Sequence, residues 1–334
     1  MSAEPTGFDE WRKLVHAPVV DAVSPLAATP YLFLRLDVPA DCPPGEQAAI
    51  ARWLGRQACP VIAISGPDAP DAVLQACDVL VDDAGEATAM LDNVRRAPLA
   101  AMTFVQVLRA TEHLTTEQAL LVESLAYATL QGGPEFRRWL SGRRAPRVPP
   151  HREPGPAVVL ERHDDRLEIR LNRPARRNSM SLEMRDGLWE ALQLVTADRS
   201  IATACVSGNG PCFSSGGDLD EFGTAPDPAT AHAVRSLRLP AALLLRCVDR
   251  VEFRLHGACV GAGVELPAFG RRVHARHDTF FQLPEIRLGL IPGAGGCVSL
   301  PRRIGRQRTA YLGLSATRID AAQALVWGLV DTVG

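Results

Sequence analysis

Apolar residues along this chain fall into two rhythms, and the change between them marks its parts. From Tyr31 short apolar runs alternate with helical spacing. YLFLRLDV (31–38) predicts a strand, GEQAAIARWLGRQ (45–57) a helix and CPVIAISG (59–66) a strand; PDAVLQA (70–76) and CDVLVDD (77–83) repeat the pair. Apolar, β-branched runs of this kind suit parallel strands covered on both faces. From Gly85 the helical period takes over, over 86–97, 98–110, 114–130 and 131–140. Pro98 sits in a first turn, where its missing N–H costs nothing. Thr115 or Thr116, with Glu117 close behind, predicts an approximate capping box. The proline- and arginine-rich SGRRAPRVPPHREPGP (141–156) has no apolar period and predicts a linker. Residues 1–29 are weakly patterned, with one short helix around Phe8–His16.

After the linker the strand–helix rhythm returns in longer units. A hairpin is expected over 157–172, turning at His163–Asp165. A helix (180–198), a buried strand (201–208) and a helix interrupted at Pro240 (228–248) follow. RVEFRLHG (250–257) reads as a strand running into GAGVELPAFG (261–270), which begins a helix. Extended chain over 271–286 leads to helices at 305–314 and 320–328 and a last strand at 329–333. Such alternation predicts a layered, largely parallel α/β architecture. The expected division is a segment 1–29, an α/β layer 30–92, helices 93–144, a linker 145–156 and a larger α/β unit 157–334.

Charge and cysteine usage narrow the function. A net charge of −2 offers no basic field, which argues against a nucleic-acid partner. No apolar run reaches the length of a membrane span, and MSAEPTGFDEW is unlike a signal peptide. The eight cysteines form no CxxC pair and sit mostly in apolar runs, so reduced, buried thiols in a cytoplasmic protein are expected, with no disulfide framework or metal site. Lys13 is the lone lysine. Schiff-base chemistry is therefore unavailable to the body of the chain, and anions must be held by arginine or backbone amides.

Chemistry concentrates in HGACVGAGVELPAFGRRVHARHDTFFQLPEIRLGLIPGAGG (256–296). Two glycine-dense turns flank Glu265 and Glu285. Glycine lets backbone approach a ligand closely, and carboxylates beside such turns suit proton transfer. In PCFSSGGDLDEF (211–222) the Gly217 amide could donate to an anion. Ala262 and Gly263 open a helix, where unpaired N–H groups favour negative charge. Two such turns could bring two amides to one oxygen, an oxyanion hole. LNRPARRNSM (171–180) puts Arg173, Arg176 and Arg177 on a polar loop suited to phosphate. Taken singly, each feature also has a plain reading as a turn, a charge–dipole contact or a solvated loop.

In order along the chain, LNRPxxRNSM, GxGPCFSSGGDLDEF, HGACVGAGVEL, FQLPEIRLGLIPGAGG and ALVWGLVD strongly resemble the crotonase, or enoyl-CoA hydratase/isomerase, superfamily, over about residues 155–334. The resemblance implies a repeated ββα spiral core and an acyl thioester substrate, on CoA or a carrier protein, with no cofactor beyond the CoA of the substrate. It implies an oxyanion hole from the amides of Gly217 and Ala262. Glu265 would orient or deprotonate water, and Glu285 would deliver a proton to Cα. CoA contacts would come from Arg173, Arg176, Arg177, Asn178, Ser215, Gly216 and Asp218, and relatives assemble as trimers or hexamers. The first expectation is hydration of a 2-enoyl-CoA. Isomerase, hydrolase and dioxygenase activities of the same superfamily are alternatives, as is a non-catalytic acyl-CoA- or acyl-carrier-binding subunit.

The sequence departs from the family's pattern in three ways. Ala262 replaces the middle residue of the usual triple-glycine turn. The frequent lysine of the CoA loop is absent, leaving Arg176 or Arg177 for its role. After GLVDTV relatives usually continue into a helical tail that caps the site. Residues 93–144 look like that tail, and 30–83 like a shortened, degenerate crotonase core lacking a GGD turn and a PE pair. An eroded tandem duplication is expected, with 93–144 packed near Glu265 and Glu285, within the chain or across a subunit interface.

Overall fold

The computed structural model describes residues 4–15, 17, 23–39, 41–66, 68–143 and 153–334. Most of the expected linker, 144–152, lies outside the described residues. The N-terminal part holds a three-stranded parallel sheet, β1 (Leu32–Arg35), β2 (Val61–Ile64) and β3 (Val79–Val81), in that order. Its period of two sorts the side chains between two cores. Leu32, Leu34, Val61 and Ala63 face the helices Pro44–Gly55 and Asp71–Ala76 and the buried Trp11 of Phe8–Val15. Phe33, Ile62, Ile64, Val79 and Val81 face the opposite way, into a core shared with the helices Ala84–Arg96 and Pro98–Thr111 and with Ile286, Leu290 and Leu314. The small sheet is thus joined to the C-terminal unit through a common apolar layer. Burial on both faces explains why its strands read as continuous apolar runs.

The helices start where local chemistry places them. Asp83 caps Ala84–Arg96 by accepting from the Glu86 amide. Thr115 caps Thr116–Gln131, but the box is closed by Gln118 rather than by Glu117, because the third helical residue is the one that reaches the cap amide. Pro134–Gly142 follows, and its Glu135 accepts from the amides of Leu99 and Ala100 at 2.8 and 2.9 Å, capping the proline-led helix 98–111 from outside.

The C-terminal unit is two sheets. The strands are β4 (Val158–His163), β5 (Arg166–Leu171), β6 (Thr203–Gly208), β7 (Val251–Leu255), β8 (Ala258–Val260), β9 (Arg272–Ala275), β10 (Phe280–Gln282), β11 (Ile319–Asp320) and β12 (Thr332–Val333). The larger sheet has the order β12-β9-β7-β6-β5-β4, parallel except for the β4–β5 hairpin. The smaller has the order β11-β10-β8. Gly257, at φ +57°, turns the chain from β7 in the first sheet to β8 in the second.

Two expectations change. The helix begun at GAGVELPAFG is only Ala262–Glu265, followed by a 3₁₀ turn Pro267–Phe269, since Pro267 supplies no N–H to continue it. The helix Gly296–Ile304 was not expected; its glycine start and internal Pro301 disguise a segment that burial stabilises. All eight cysteines are free and buried. No described helix is long and apolar enough to cross a membrane.

Candidate active site

Strand β8 and the loop before it assemble the two glycine turns side by side. Ser214 pairs with Cys259 in a parallel bridge, and Ser214 Oγ donates to the Asn178 carbonyl and accepts from the Gly216 amide. Gly216 has φ +86°, and a Cβ there would lie 2.6 Å from the Val260 carbonyl oxygen. Only glycine lets these turns approach so closely. The result places the amides of Gly217 and Ala262 on one cavity of about 500 Å³. Among the described residues, neither amide donates to a carbonyl or side chain.

Both expected carboxylates line the same cavity. Glu265 is 2% exposed. Its Oε2 accepts from the amides of Ala294 (2.7 Å) and Gly296 (2.9 Å), which anchors one oxygen. Burial raises its pKa to about 7 against the pull of these amides. Glu285 opens the 3₁₀ turn Glu285–Leu288, and its Oε2 is buried with no hydrogen-bond partner. Burial first, then repulsion from Glu265, holds its pKa well above the usual carboxylate range. Gly261, at φ +50°, keeps the two together: a Cβ there would lie 2.5 Å from Glu285 Oε1.

A third carboxyl belongs to the group. Glu123, in the middle of Thr116–Gln131, is 1% exposed. Its two oxygens accept from the amides of Gly295 (2.7 Å) and Cys297 (2.8 Å). Four successive amides at the start of helix Gly296–Ile304 therefore alternate between Glu265 and Glu123. These are the N–H groups that a helix's first turn cannot satisfy internally. Burial and repulsion from Glu265 raise the Glu123 pKa strongly. Sequence reasoning missed it. The signal was a glutamate at i+3 and i+4 from the buried Leu120 and Ala119, on the apolar stripe of its helix. Tyr127, one turn later, also lines the cavity, and its ring packs against Gly293, where a Cβ would lie 2.3 Å from it. Residues 93–144 thus contribute to the site within one chain.

The loop expected to bind CoA divides in two. Arg173 is 5% exposed, and all its N–H groups are engaged, by Glu183 and the carbonyls of Gly155, Pro156 and Asn172. Asn178 is fully buried and ties Arg173, Asn209 and Cys212 together. Both hold the loop from within and neither offers a donor to a phosphate. Asp218, 5% exposed, pairs with Arg176 at 2.8 Å and caps the turn Leu219–Glu221, which orients the Gly217 turn. Ser215 donates its amide to the Arg177 carbonyl, and Gly216 accepts from Met180. The side chain of Arg177 is exposed.

Comparison with known proteins places this arrangement. The sequence model described as Enoyl-CoA hydratase/isomerase matches residues 162–334. The chain is 34% identical over 176 residues to 2,3-dehydroadipyl-CoA hydratase of Escherichia coli, covering 53% of this chain and 68% of that protein. It is also 34% identical over 168 residues to 1,2-epoxyphenylacetyl-CoA isomerase of the same organism, covering 49% and 64%. An enoyl-CoA hydratase structure from Bacillus anthracis matches with a TM-score of 0.50 at 29% identity, over 53% of this chain and 70% of that one. The matched segment thus spans about half of this chain and about two thirds of each of these relatives.

Proposed function

Because the chain belongs to the enoyl-CoA hydratase/isomerase family, we propose that its cavity binds an acyl-CoA thioester and interconverts a 2-enoyl-CoA with the 3-hydroxyacyl-CoA. One observation carries the reading: two unengaged amides, Gly217 and Ala262, share a cavity with two buried carboxyls, Glu265 anchored through its Oε2 and Glu285 with its Oε2 unpaired.

In this reading the thioester oxygen accepts from both amides. Attack of water at Cβ drives charge onto that oxygen as an enolate. Donors fixed in advance at the position of the charge are worth roughly 100- to 1,000-fold each. Glu265, near neutrality in its pKa and anchored through Oε2, takes the proton of the attacking water. Glu285, whose pKa burial and repulsion from Glu265 raise well above the usual carboxylate range, serves as the acid that delivers a proton to Cα. The hydroxyl adds to Cβ, the proton to Cα, and return of the water proton from Glu265 to Glu285 resets the site. Arg177, and Arg176 beside Asp218, serve the CoA phosphates from the loop next to the Gly217 turn. Residues 93–144 stand in place of the family's helical tail; the bonds of Glu123 to the 295 and 297 amides support this, and the small sheet is read as the remnant of a second core.

Isomerisation is the second reading, favoured by the unpaired Oε2 of Glu285, which could move a proton alone. Loss of the enoyl absorbance of crotonyl-CoA tests hydration, and its appearance from a 3-enoyl-CoA tests isomerisation. Under hydration, Glu265→Gln and Glu285→Gln each lower kcat by about 100- to 10,000-fold. Loss with Glu285→Gln only, on a 3-enoyl-CoA, selects the isomerase. Tight CoA binding without turnover of any enoyl-CoA overturns both.

A further inference from the structure

Resting on the acyl-CoA reading, we propose that the far end of the cavity receives a carboxylate, so that the acyl group carries a second, distal acid function bound by Arg235. The site has a readable order. Arg177 and Met180 lie beside the Gly217 turn, Met180 bridging to Gly217. The Gly217 turn abuts the Ala262 turn, Gly216 packing on Val260 and Gly261. Glu265 follows on the first turn of the short helix and shares the 294–297 amides with Glu123. Ser124, next to Glu123, accepts from Arg235 Nε at 3.1 Å. With the CoA phosphates at the Arg177 end and the thioester at Gly217 and Ala262, the acyl chain runs toward Arg235.

Arg235 is a half-buried cation with spare donors. It lines the cavity from helix Pro228–Arg238. Its guanidinium lies 4.5 Å over the Tyr127 ring. Nε donates to Ser124 Oγ, Nη1 to Gln131 Oε1 (3.1 Å) and Nη2 to the Ser124 carbonyl (3.3 Å). Guanidinium has five N–H groups, so one N–H on each terminal nitrogen remains. No carboxylate lies within ion-pair distance of it among the described residues. Burial lowers its pKa, only partly offset by its charge interactions with Tyr127 and Glu123. A methyl terminus pressed against this group would leave its charge and both N–H groups without an acceptor. A carboxylate accepts both and repays the desolvation through charge-assisted bonds. Past Arg235 the cavity adjoins a smaller, mostly apolar pocket of about 220 Å³ lined by Leu120, Leu121, Leu239 and Leu245, with Glu117 on its wall, the competing destination for a long alkyl chain.

Matched saturated thioesters test this without any turnover. Calorimetry on the full chain compares butyryl- with succinyl-CoA, hexanoyl- with adipyl-CoA and octanoyl- with suberyl-CoA. In at least one pair the carboxylate form binds about 10- to 100-fold tighter. Arg235→Met erases that preference, Arg235→Lys keeps part of it, and Ser124→Ala, which removes one tie but not the cation, keeps most of it. Equal or tighter binding of the methyl-ended member in every pair overturns the proposal, and tighter octanoyl-CoA binding assigns the acyl end to the apolar pocket. A preference that survives Arg235→Met overturns it as well. If no thioester binds, the acyl-CoA reading falls and this inference with it. A carboxylate preference without hydration of the matching 2-enoyl-CoA leaves this inference standing and overturns the reaction.

Discussion

Removing the Glu123 carboxyl should destabilise the protein measurably. Its oxygens are the acceptors for Gly295, which caps helix Gly296–Ile304, and for Cys297 in its first turn, and the side chain is 1% exposed. Glu123→Ala leaves two buried N–H groups without partners, at about 1–3 kcal/mol each, or about 2–6 kcal/mol in all. Two terms offset this: a buried carboxyl no longer has to be desolvated, and its repulsion with Glu265 disappears. The net expectation is a loss of about 2–4 kcal/mol. Glu123→Gln keeps one acceptor but aims an NH₂ group at an amide N–H, so it should lose at least half as much. Urea unfolding followed by circular dichroism reads the loss as a lower midpoint at unchanged slope. Since Glu265 is anchored on the same turn, turnover of crotonyl-CoA should fall in parallel. An Ala variant within about 0.5 kcal/mol of the wild type would refute the capping role, because surface substitutions lie in that range.

Two other outcomes follow from the same site. Glu265 has its pKa raised from 4.5 to about 7, so its contribution to stability is fully present below pH 4.5 and is lost as pH rises through about 7. That shift corresponds to about 3 kcal/mol, and denaturant midpoints taken across this window should fall for the wild type and fall less steeply for Glu265→Gln, in which Glu123 and Glu285 still titrate; parallel curves would contradict the raised pKa. Gly261→Ala places a methyl 2.5 Å from Glu285 Oε1 at φ +50°, which should displace the carboxyl and cut turnover at least about 100-fold while thermal unfolding stays cooperative. Activity within tenfold of wild type would show that Glu285 need not hold its observed place.

Local information was enough for the α/β alternation, the two glycine turns and the carboxyls of Glu265 and Glu285. Each rests on periodicity, on glycine's tolerance of positive φ or on a side chain a few residues from the turn it serves. Capping was legible to within one residue, Thr115 with Gln118 in place of Glu117. The loop at Arg173 was legible as polar but not in its purpose, since the same guanidinium can bind a phosphate or bind its own backbone, and only packing chose the second. Helix Gly296–Ile304 was hidden because its amides are satisfied by Glu265 and Glu123 rather than by a residue next to it in sequence. By itself the sequence determined which residues are candidates for the chemistry. Tertiary structure decided that Glu123, Tyr127 and Arg235 lie beside them, because burial and unmet hydrogen bonds arise only when segments more than a hundred residues apart are brought into contact.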